Sequence, residues 1–188
     1  WAKDAIDFVS ARGLVSGMSE TTYAPDNATT RAQLWTILAR QNDADLSGGG
    51  SWYEKAQTWA KANGISDGTA PEGTINRAQM VTMLWRAAGQ SAAAGSAANF
   101  TDVPTDSYYA QAVAWAVEHG ITSGVGNGKF DPNATCTRAQ SAAFLYRAAG
   151  SPAVSGNAGF SDVAADAYYA QAVAWAKEHG ITDGIGGG

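Results

Sequence analysis

An internal repeat constrains this chain more than any other feature of its sequence. Two nearly identical segments begin sixty positions apart, FTDVPTDSYYAQAVAWAVEHGITSG at Phe100 and FSDVAADAYYAQAVAWAKEHGITDG at Phe160. Weaker copies begin at Trp1 and Trp52, and each of the first three copies is followed by a second block that contains R-A-Q. The 188 residues therefore hold three and a half repeats, each about fifty-five residues long.

Both blocks predict α-helices. The first block of the third repeat has apolar residues at helical spacing, namely Tyr109, Ala112, Val113 and Ala116. A Gly-Ile pair at Gly120 predicts the helix end, because glycine at C′ adopts the left-handed conformation and the next apolar residue folds back. The second block predicts a capping box, in which the N-cap and N3 side chains bond each other's backbone. The predicted pairs are Thr30 with Gln33, Asn76 with Gln79, and Thr137 with Gln140.

Stretches rich in Ser, Gly and Ala separate the repeats and predict four units. Residues 1–44 form repeat 1, which lacks the F-x-D-V start, and residues 45–90 form repeat 2, which has a shortened loop. Residues 91–150 form the complete repeat 3, and residues 151–188 form a half repeat with the first helix only.

Charge and hydropathy exclude two kinds of partner. The net charge is −5 and no basic run is present, which argues against nucleic acid. The mean hydropathy is −0.20 and no apolar run approaches 18 residues, so we expect no membrane insertion. The single cysteine, Cys136, cannot form an intrachain disulfide and fits either the cytosol or a thiol-poor cell surface. With no visible signal peptide, we interpret the chain as a mature protein or an excised fragment.

One residue of the repeat opposes its local physics. Arg31, Arg77 and Arg138 each occupy N1, where a cation faces the positive end of the helix dipole. One interpretation is an anion site, in which the guanidinium joins free backbone N–H groups at the helix start. The other is a structural arginine paired with an acid such as Asp102 or Asp162. Spacing alone does not separate the two.

The combined motifs resemble the S-layer homology (SLH) module of bacterial cell-surface proteins. They are F-x-D-V, A-V-x-W-A-x-E-x-G-I, G-x-x-x-G-x-F-x-P-N and T-R-A-Q, and repeat 3 carries all of them. The resemblance implies an all-α fold of tandem helix-loop-helix repeats in a pseudo-threefold bundle. Such a ring could close with the first copy or with the terminal half repeat, and we expect the half repeat because the helices that carry Trp59, Trp115 and Trp175 resemble each other most. It also implies an extracellular, cell-wall or S-layer location, within a larger surface protein or an S-layer lattice.

The resemblance further implies non-covalent anchoring to an anionic secondary cell wall polysaccharide of the pyruvylated type, bound in grooves between repeats. The arginine of the family motif maps onto Arg31, Arg77 and Arg138, and the motif's Glu is Gln33, Gln79 and Gln140 here. Loop glycines that would let the sugar approach are Gly17, Gly68 and Gly124, with Gly184 in the half repeat. Trp52, Tyr108 and Tyr168 stand at the helix starts, where they either line a groove or pack.

Nothing in the sequence predicts catalysis, a metal site or a cofactor. His119 and His179 precede C-terminal glycines and are interpreted as partners of the helix dipole, while Asp102 and Asp162 are interpreted as turn or cap residues. Two alternatives to glycan binding remain: a helical-repeat scaffold that binds a protein or peptide, and an enzyme that uses the grooves. The scaffold would not need an arginine at N1 three times, and no repeat carries the acids or nucleophile that an enzyme needs.

Overall fold

The computed structural model describes residues 23–95, 100–154, 156 and 158–182. These residues form α1 (Arg31–Gln41), α2 (Glu54–Ala62), α3 (Arg77–Ala87), α4 (Ala110–Glu118), α5 (Arg138–Ala148) and α6 (Ala170–Glu178). Within the described ranges the only β-structure is isolated bridges, which confirms the all-α prediction. We call α1, α3 and α5 the arginine helices, and α2, α4 and α6 the tryptophan helices. None of the described helices has the length and apolarity that a membrane crossing requires.

The predicted helix starts are confirmed. All three capping boxes are complete, and Asn76 serves as well as the two threonines because its side-chain oxygen accepts from the N3 backbone N–H in the same way. The three arginines are the first helical residues, as the motif predicts.

The predicted helix ends are confirmed in the three tryptophan helices. Gly64, Gly120 and Gly180 have φ of 67°, 66° and 66°. The isoleucine after each glycine is buried, and its N–H donates to a carbonyl five residues earlier, as in a Schellman motif. The short tryptophan helices therefore end at fixed positions and set the geometry of the loops that follow.

Helices pair across the repeat boundaries. Each arginine helix packs against the tryptophan helix of the next repeat, α1 with α2, α3 with α4 and α5 with α6, and α3 also contacts α5. The tryptophan helices approach their partners through alanines that are at most 2% exposed: Ala56, Ala60, Ala112, Ala116, Ala172 and Ala176. This explains why the chain uses small residues where larger aliphatic ones would hold the helices apart.

Three backbone segments meet at the centre of the molecule. The N–H of Thr29 donates to Cys136 O at 3.0 Å, Cys136 N–H to Ile75 O at 2.9 Å, and Ile75 N–H to Thr29 O at 2.9 Å. These bonds form a closed cycle with one residue from each of repeats 1, 2 and 3. They give the bundle its pseudo-threefold centre.

The terminal half repeat lies against the loop of repeat 1. Asp162 accepts hydrogen bonds from Tyr23 N–H at 2.8 Å and Ala24 N–H at 2.6 Å. In repeat 3, Asp102 holds Phe130 N–H and Asp131 N–H in the same way, at 2.9 and 2.8 Å. The aspartate of the half repeat thus fixes the backbone of the repeat 1 loop, just as the aspartate of repeat 3 fixes the loop of its own repeat. Helix α6 of the half repeat packs against α5 as the third helix pair.

We expect Cys136 to be unreactive in the folded protein. Its side chain is fully buried in the central cycle, and burial raises the pKa of the thiol to about 11. Since the thiolate is the reactive species, labelling by a disulfide reagent at pH 8 should run at least about 100-fold slower than in denaturant. Labelling followed by absorbance tests this, and comparable rates in both conditions would mean that the centre opens readily.

Candidate functional site

The three arginine side chains are anchored in the same way. Each Nε–H donates to the carbonyl of a loop residue that lies two positions before a proline. The pairs are Arg31 with Thr69 at 2.7 Å, Arg77 with Phe130 at 2.8 Å, and Arg138 with Tyr23 at 2.9 Å. Because Nε is used for the fold, only the Nη groups remain for a ligand.

The backbone N–H groups at the start of the arginine helices are not free. Arg31 N–H donates to Gly73 O, Ala32 N–H to Pro71 O, and Gln33 N–H to the Thr30 side chain. The loops of repeats 3 and 1 supply the same acceptors to α3 and α5. The predicted contribution of helix N-termini to anion binding is therefore wrong, because loop carbonyls already satisfy those donors.

Arg31 is paired with an acid other than the two suggested by the sequence. One Nη of Arg31 donates to Ser66 Oγ at 3.0 Å and forms an ion pair with Asp67. The hydrogen bond from Thr69 N–H lowers the pKa of Asp67, and the charge of Arg31 lowers it further, whereas burial opposes the change. The carboxylate is therefore charged at neutral pH. A surface groove of about 530 Å³ adjoins this pair and is lined by Gln57, Thr58, Lys61, Ala62, Asp67 and Gly68.

Arg138 lies between the first loop and the terminal half repeat. Its guanidinium stands over the Tyr23 ring at 4.8 Å, and one Nη donates to Thr182 Oγ1 at 3.3 Å. Burial lowers the pKa of Arg138, while Tyr23 and Asp162 oppose the change. This site therefore joins residues from both ends of the chain.

Arg77 is the most enclosed of the three. Its side chain is 5% exposed, and the guanidinium lies 4.8 Å from the Phe130 ring and 5.3 Å from the Phe144 ring. One Nη of Arg77 is buried without a hydrogen-bond partner. Burial lowers the pKa of Arg77, as expected for a cation removed from water without a paired anion.

All three aromatic candidates are exposed to solvent. Trp52, Tyr108 and Tyr168 are 51%, 61% and 65% exposed, and each packs edge-on against the aromatic residue that follows it. Burial raises the pKa of Tyr108, and Tyr109 adds to the rise, whereas the charges of Arg86 and Arg31 oppose it. Burial also raises the pKa of Tyr168, whereas the charges of Arg147 and Arg77 oppose the rise. The two tyrosines thus stand within electrostatic reach of Arg31 and Arg77.

The remaining candidates are mostly used by the fold. The side-chain oxygens of Gln33, Gln79 and Gln140 accept the N-cap N–H groups at 2.9, 3.1 and 3.1 Å. Gly68 and Gly124 have φ of 75° and 84°. The space beside Gly124 is filled by the Phe100 ring and Lys129 O, while that beside Gly68 holds Gln57 and Lys61 side chains at ordinary contact distance. Gly17 and Gly184 lie outside the described residues.

The sequence reasoning missed two positions that contact the arginines. One is the hydroxyl after the Gly-Ile stop, which contacts an arginine at Ser66 and Thr182. The other is the next position, which holds Asp67 in repeat 2. The recurrence of G-I-S/T-x-G was the available signal, but nothing local indicated that it would face the arginine of the preceding repeat.

The described residues hold no group of three or more His, Cys, Asp and Glu side chains placed to bind a metal. The Nδ1 atoms of His119 and His179 lie 2.9 Å from the carbonyls of Trp115 and Trp175. Each histidine caps the end of its helix.

The family model described as S-layer homology domain matches residues 1–34, 99–142 and 159–188, which is more than half of the chain. An amylopullulanase of Thermoanaerobacterium thermosulfurigenes is 32% identical over 164 residues, covering 78% of this chain and 9% of that protein. An S-layer protein of Bacillus thuringiensis subsp. finitimus is 28% identical over 162 residues, covering 78% and 20%. A surface-layer 125 kDa protein of Lysinibacillus sphaericus is 40% identical over 91 residues, covering 48% and 8%. The chain thus spans a fifth or less of these relatives.

Proposed function

Because the chain belongs to the S-layer homology domain family, we propose that it anchors a larger surface protein to the bacterial cell wall by binding an anionic wall polysaccharide. Membership of this family indicates an extracellular, cell-wall-associated location. The family's modules are non-catalytic anchors, and the amylopullulanase shares only 9% of its length with this chain. We infer that this chain likewise binds without catalysis, and that its ligand is a secondary wall polysaccharide of the pyruvylated type.

The observation that carries the proposal is the repeated fixing of the guanidinium. Three times, Nε–H donates to a loop carbonyl, which holds the planar group in place. One Nη of Arg31 and one of Arg138 also contact loop side chains, and the other Nη donors are left for a ligand. A pre-positioned guanidinium suits a carboxylate, because it offers paired N–H donors at low entropic cost. Burial strengthens such an interaction by excluding water.

The exposed aromatics add a surface suited to sugar rings. Trp52, Tyr108 and Tyr168 recur at equivalent positions, and their exposure leaves ring faces available for stacking. We propose that the acid group of the glycan binds an arginine and that a sugar ring next to this acid group stacks on one of these aromatic side chains. Gln33, Gln79 and Gln140 would support the site by holding the helix start, and Gly68 by allowing the loop its left-handed turn.

Replacing Arg31, Arg77 and Arg138 together with alanine should abolish wall binding. We expect at least a 100-fold fall in affinity for purified sacculi, because each charge-assisted contact contributes about 1.5–3 kcal/mol. The measurement is a sedimentation assay with sacculi. Lys55→Ala, which removes one exposed positive charge near Asp45, is the control and should bind normally.

A second arm separates the wall polymer from a protein partner. Sacculi stripped of non-peptidoglycan polymer should no longer retain the wild-type chain. Retention on stripped sacculi, or by the folded triple variant, would contradict glycan recognition and favour the protein- or peptide-binding scaffold. Thermal unfolding of each variant by circular dichroism shows whether a loss of binding is a loss of fold.

A further inference from the structure

The loop position that follows the hydroxyl contact differs among the repeats. Repeat 2 reads Gly-Ile-Ser-Asp-Gly and repeat 3 reads Gly-Ile-Thr-Ser-Gly, so Asp67 is replaced by Ser123. The half repeat has Asp183 at this position, outside the described residues. The loop of repeat 2 contacts Arg31 and that of the half repeat contacts Arg138. By the symmetry of the repeats the loop of repeat 3 corresponds to Arg77, so the difference gives Arg31 and Arg77 different electrostatic surroundings.

At Arg31 the position is filled by an internal anion. Asp67 forms an ion pair with one Nη, which Ser66 also contacts, and the Thr69 N–H holds the carboxylate in place. An acidic ligand approaching this guanidinium has to displace a carboxylate or bind beside it. Either event costs free energy, since like charges at close range repel.

At Arg77 that anion is missing. Among the described residues no carboxylate lies within ion-pair distance of Arg77, and Asp131 and Asp102 act on it only from farther away. Its unpartnered Nη is buried, although the side chain at Ser123 is exposed. By the symmetry of the repeats, the Thr122–Ser123 segment is the equivalent of the Ser66–Asp67 segment that contacts Arg31.

A buried cation without a paired anion is unfavourable, because the cost of removing it from water is repaid only in part by a single hydrogen bond and by aromatic contacts. The Arg77 guanidinium lies over the Phe130 and Phe144 rings, and its buried, unpartnered Nη is the donor that an acid could still take up. Arg77 therefore provides the cation of an ion pair whose anion is absent. Ser123 stands where repeat 2 has Asp67, so no internal carboxylate competes with a carboxylate from outside.

We propose that the loop position held by Asp67 in repeat 2 and by Ser123 in repeat 3 determines which arginine binds an acidic ligand. Arg77 is the receptive site, whereas Asp67 occupies the guanidinium of Arg31 and hinders the ligand there. This inference rests on the proposed function and deepens it. The ligand group is a carboxylate, such as a ketal-linked pyruvate on a glycan. The receptive arginine thus lies in repeat 2, although this repeat has Asn76 where the family motif has Thr and has the shortened loop.

The test exchanges the two residues. Sodium pyruvate is the probe, titrated into ¹⁵N-labelled full chain and followed through the arginine Nε–H resonances, which Arg→Lys variants assign. In the wild type, the Arg77 resonance should respond at a concentration at least tenfold below that for Arg31. Ser123→Asp should weaken the Arg77 response at least tenfold, and Asp67→Ser should strengthen the Arg31 response about tenfold. Both changes are at exposed side chains, so the unfolding midpoint serves as a fold control.

Equal responses of the two arginines in the wild type, or no Arg77 response up to 50 mM pyruvate (about the top of a practical titration range), would overturn the inference. So would exchange variants that behave as the wild type. Sacculus binding of the wild type is read separately. If the wild type is retained on sacculi while the titration fails, the groove assignment is wrong and wall anchoring stands. If the wild type is not retained, the proposed function fails whatever the titration shows.

Discussion

Removing the terminal half repeat, residues 151–188, should abolish the cooperative unfolding transition. The half repeat contributes α6, whose Val173 and Trp175 are 0% and 4% exposed, and Trp175 packs on Tyr146 with ring centroids 5.7 Å apart. Each such buried side chain contributes about 1.5–3 kcal/mol. Their joint loss is comparable with the whole stability of a small domain, about 5–15 kcal/mol. Thermal and denaturant unfolding followed by circular dichroism measure the effect.

The hydrogen bonds of Asp162 account for a smaller part of this effect. Asp162→Asn should cost about 1–3 kcal/mol, because one of its two loop N–H groups loses a charged acceptor. Asp166→Asn, at an exposed position of the same segment, is the matched control and should change the free energy of unfolding little.

An unchanged unfolding midpoint in the chain truncated at residue 150 would contradict the first prediction. It would show that the third helix pair is dispensable, or that the copy of the motif at residues 1–17 can take its place.

Local features of the fold were predictable from the sequence. Capping boxes and Gly-Ile stops involve residues three to six positions apart, so their chemistry is visible in the letters themselves. The position of the half repeat also followed from sequence, since the similarity of Trp175 and Trp115 surroundings favoured it as the third partner. The helix pairing confirms that expectation.

Long-range features were not predictable in the same way. The loop carbonyls that satisfy the helix N-termini come from a different repeat, so the arginine helices appeared to offer free N–H groups. Asp102 and Asp162 appeared to be local caps, whereas they hold loop backbone about 28 and 138 positions away. A single sequence carries no signal for such partners beyond the repeat itself. The symmetry that brings repeats together therefore had to be seen in the structure.

Gly124 offers the sharpest test of what the loop glycines do. Its φ is 84°, and a Cβ at this position would overlap the Phe100 ring and Lys129 O, one of which is backbone and cannot yield easily. Gly124→Ala should therefore destabilise the chain by at least about 3 kcal/mol, combining backbone strain with overpacking. Gly120→Ala is the matched control, because Gly120 has φ of 66° and no atom within 4 Å of the added carbon. It should cost only about 1–2 kcal/mol, the penalty for an L-residue in the left-handed conformation.

The Gly124→Ala substitution should also affect the Arg77 site, because Phe100 and Phe130 connect the two. Phe100 packs on Phe130, with ring centroids 5.8 Å apart, and Phe130 supplies both the carbonyl and the ring that hold Arg77. Displacing Phe100 should thus weaken wall binding as well as stability. Denaturant unfolding and the sacculus assay on both variants separate this from direct ligand contact. A Gly124→Ala chain of wild-type stability that no longer binds would place the glycine against the sugar, whereas a joint loss places it under the loop that positions Arg77.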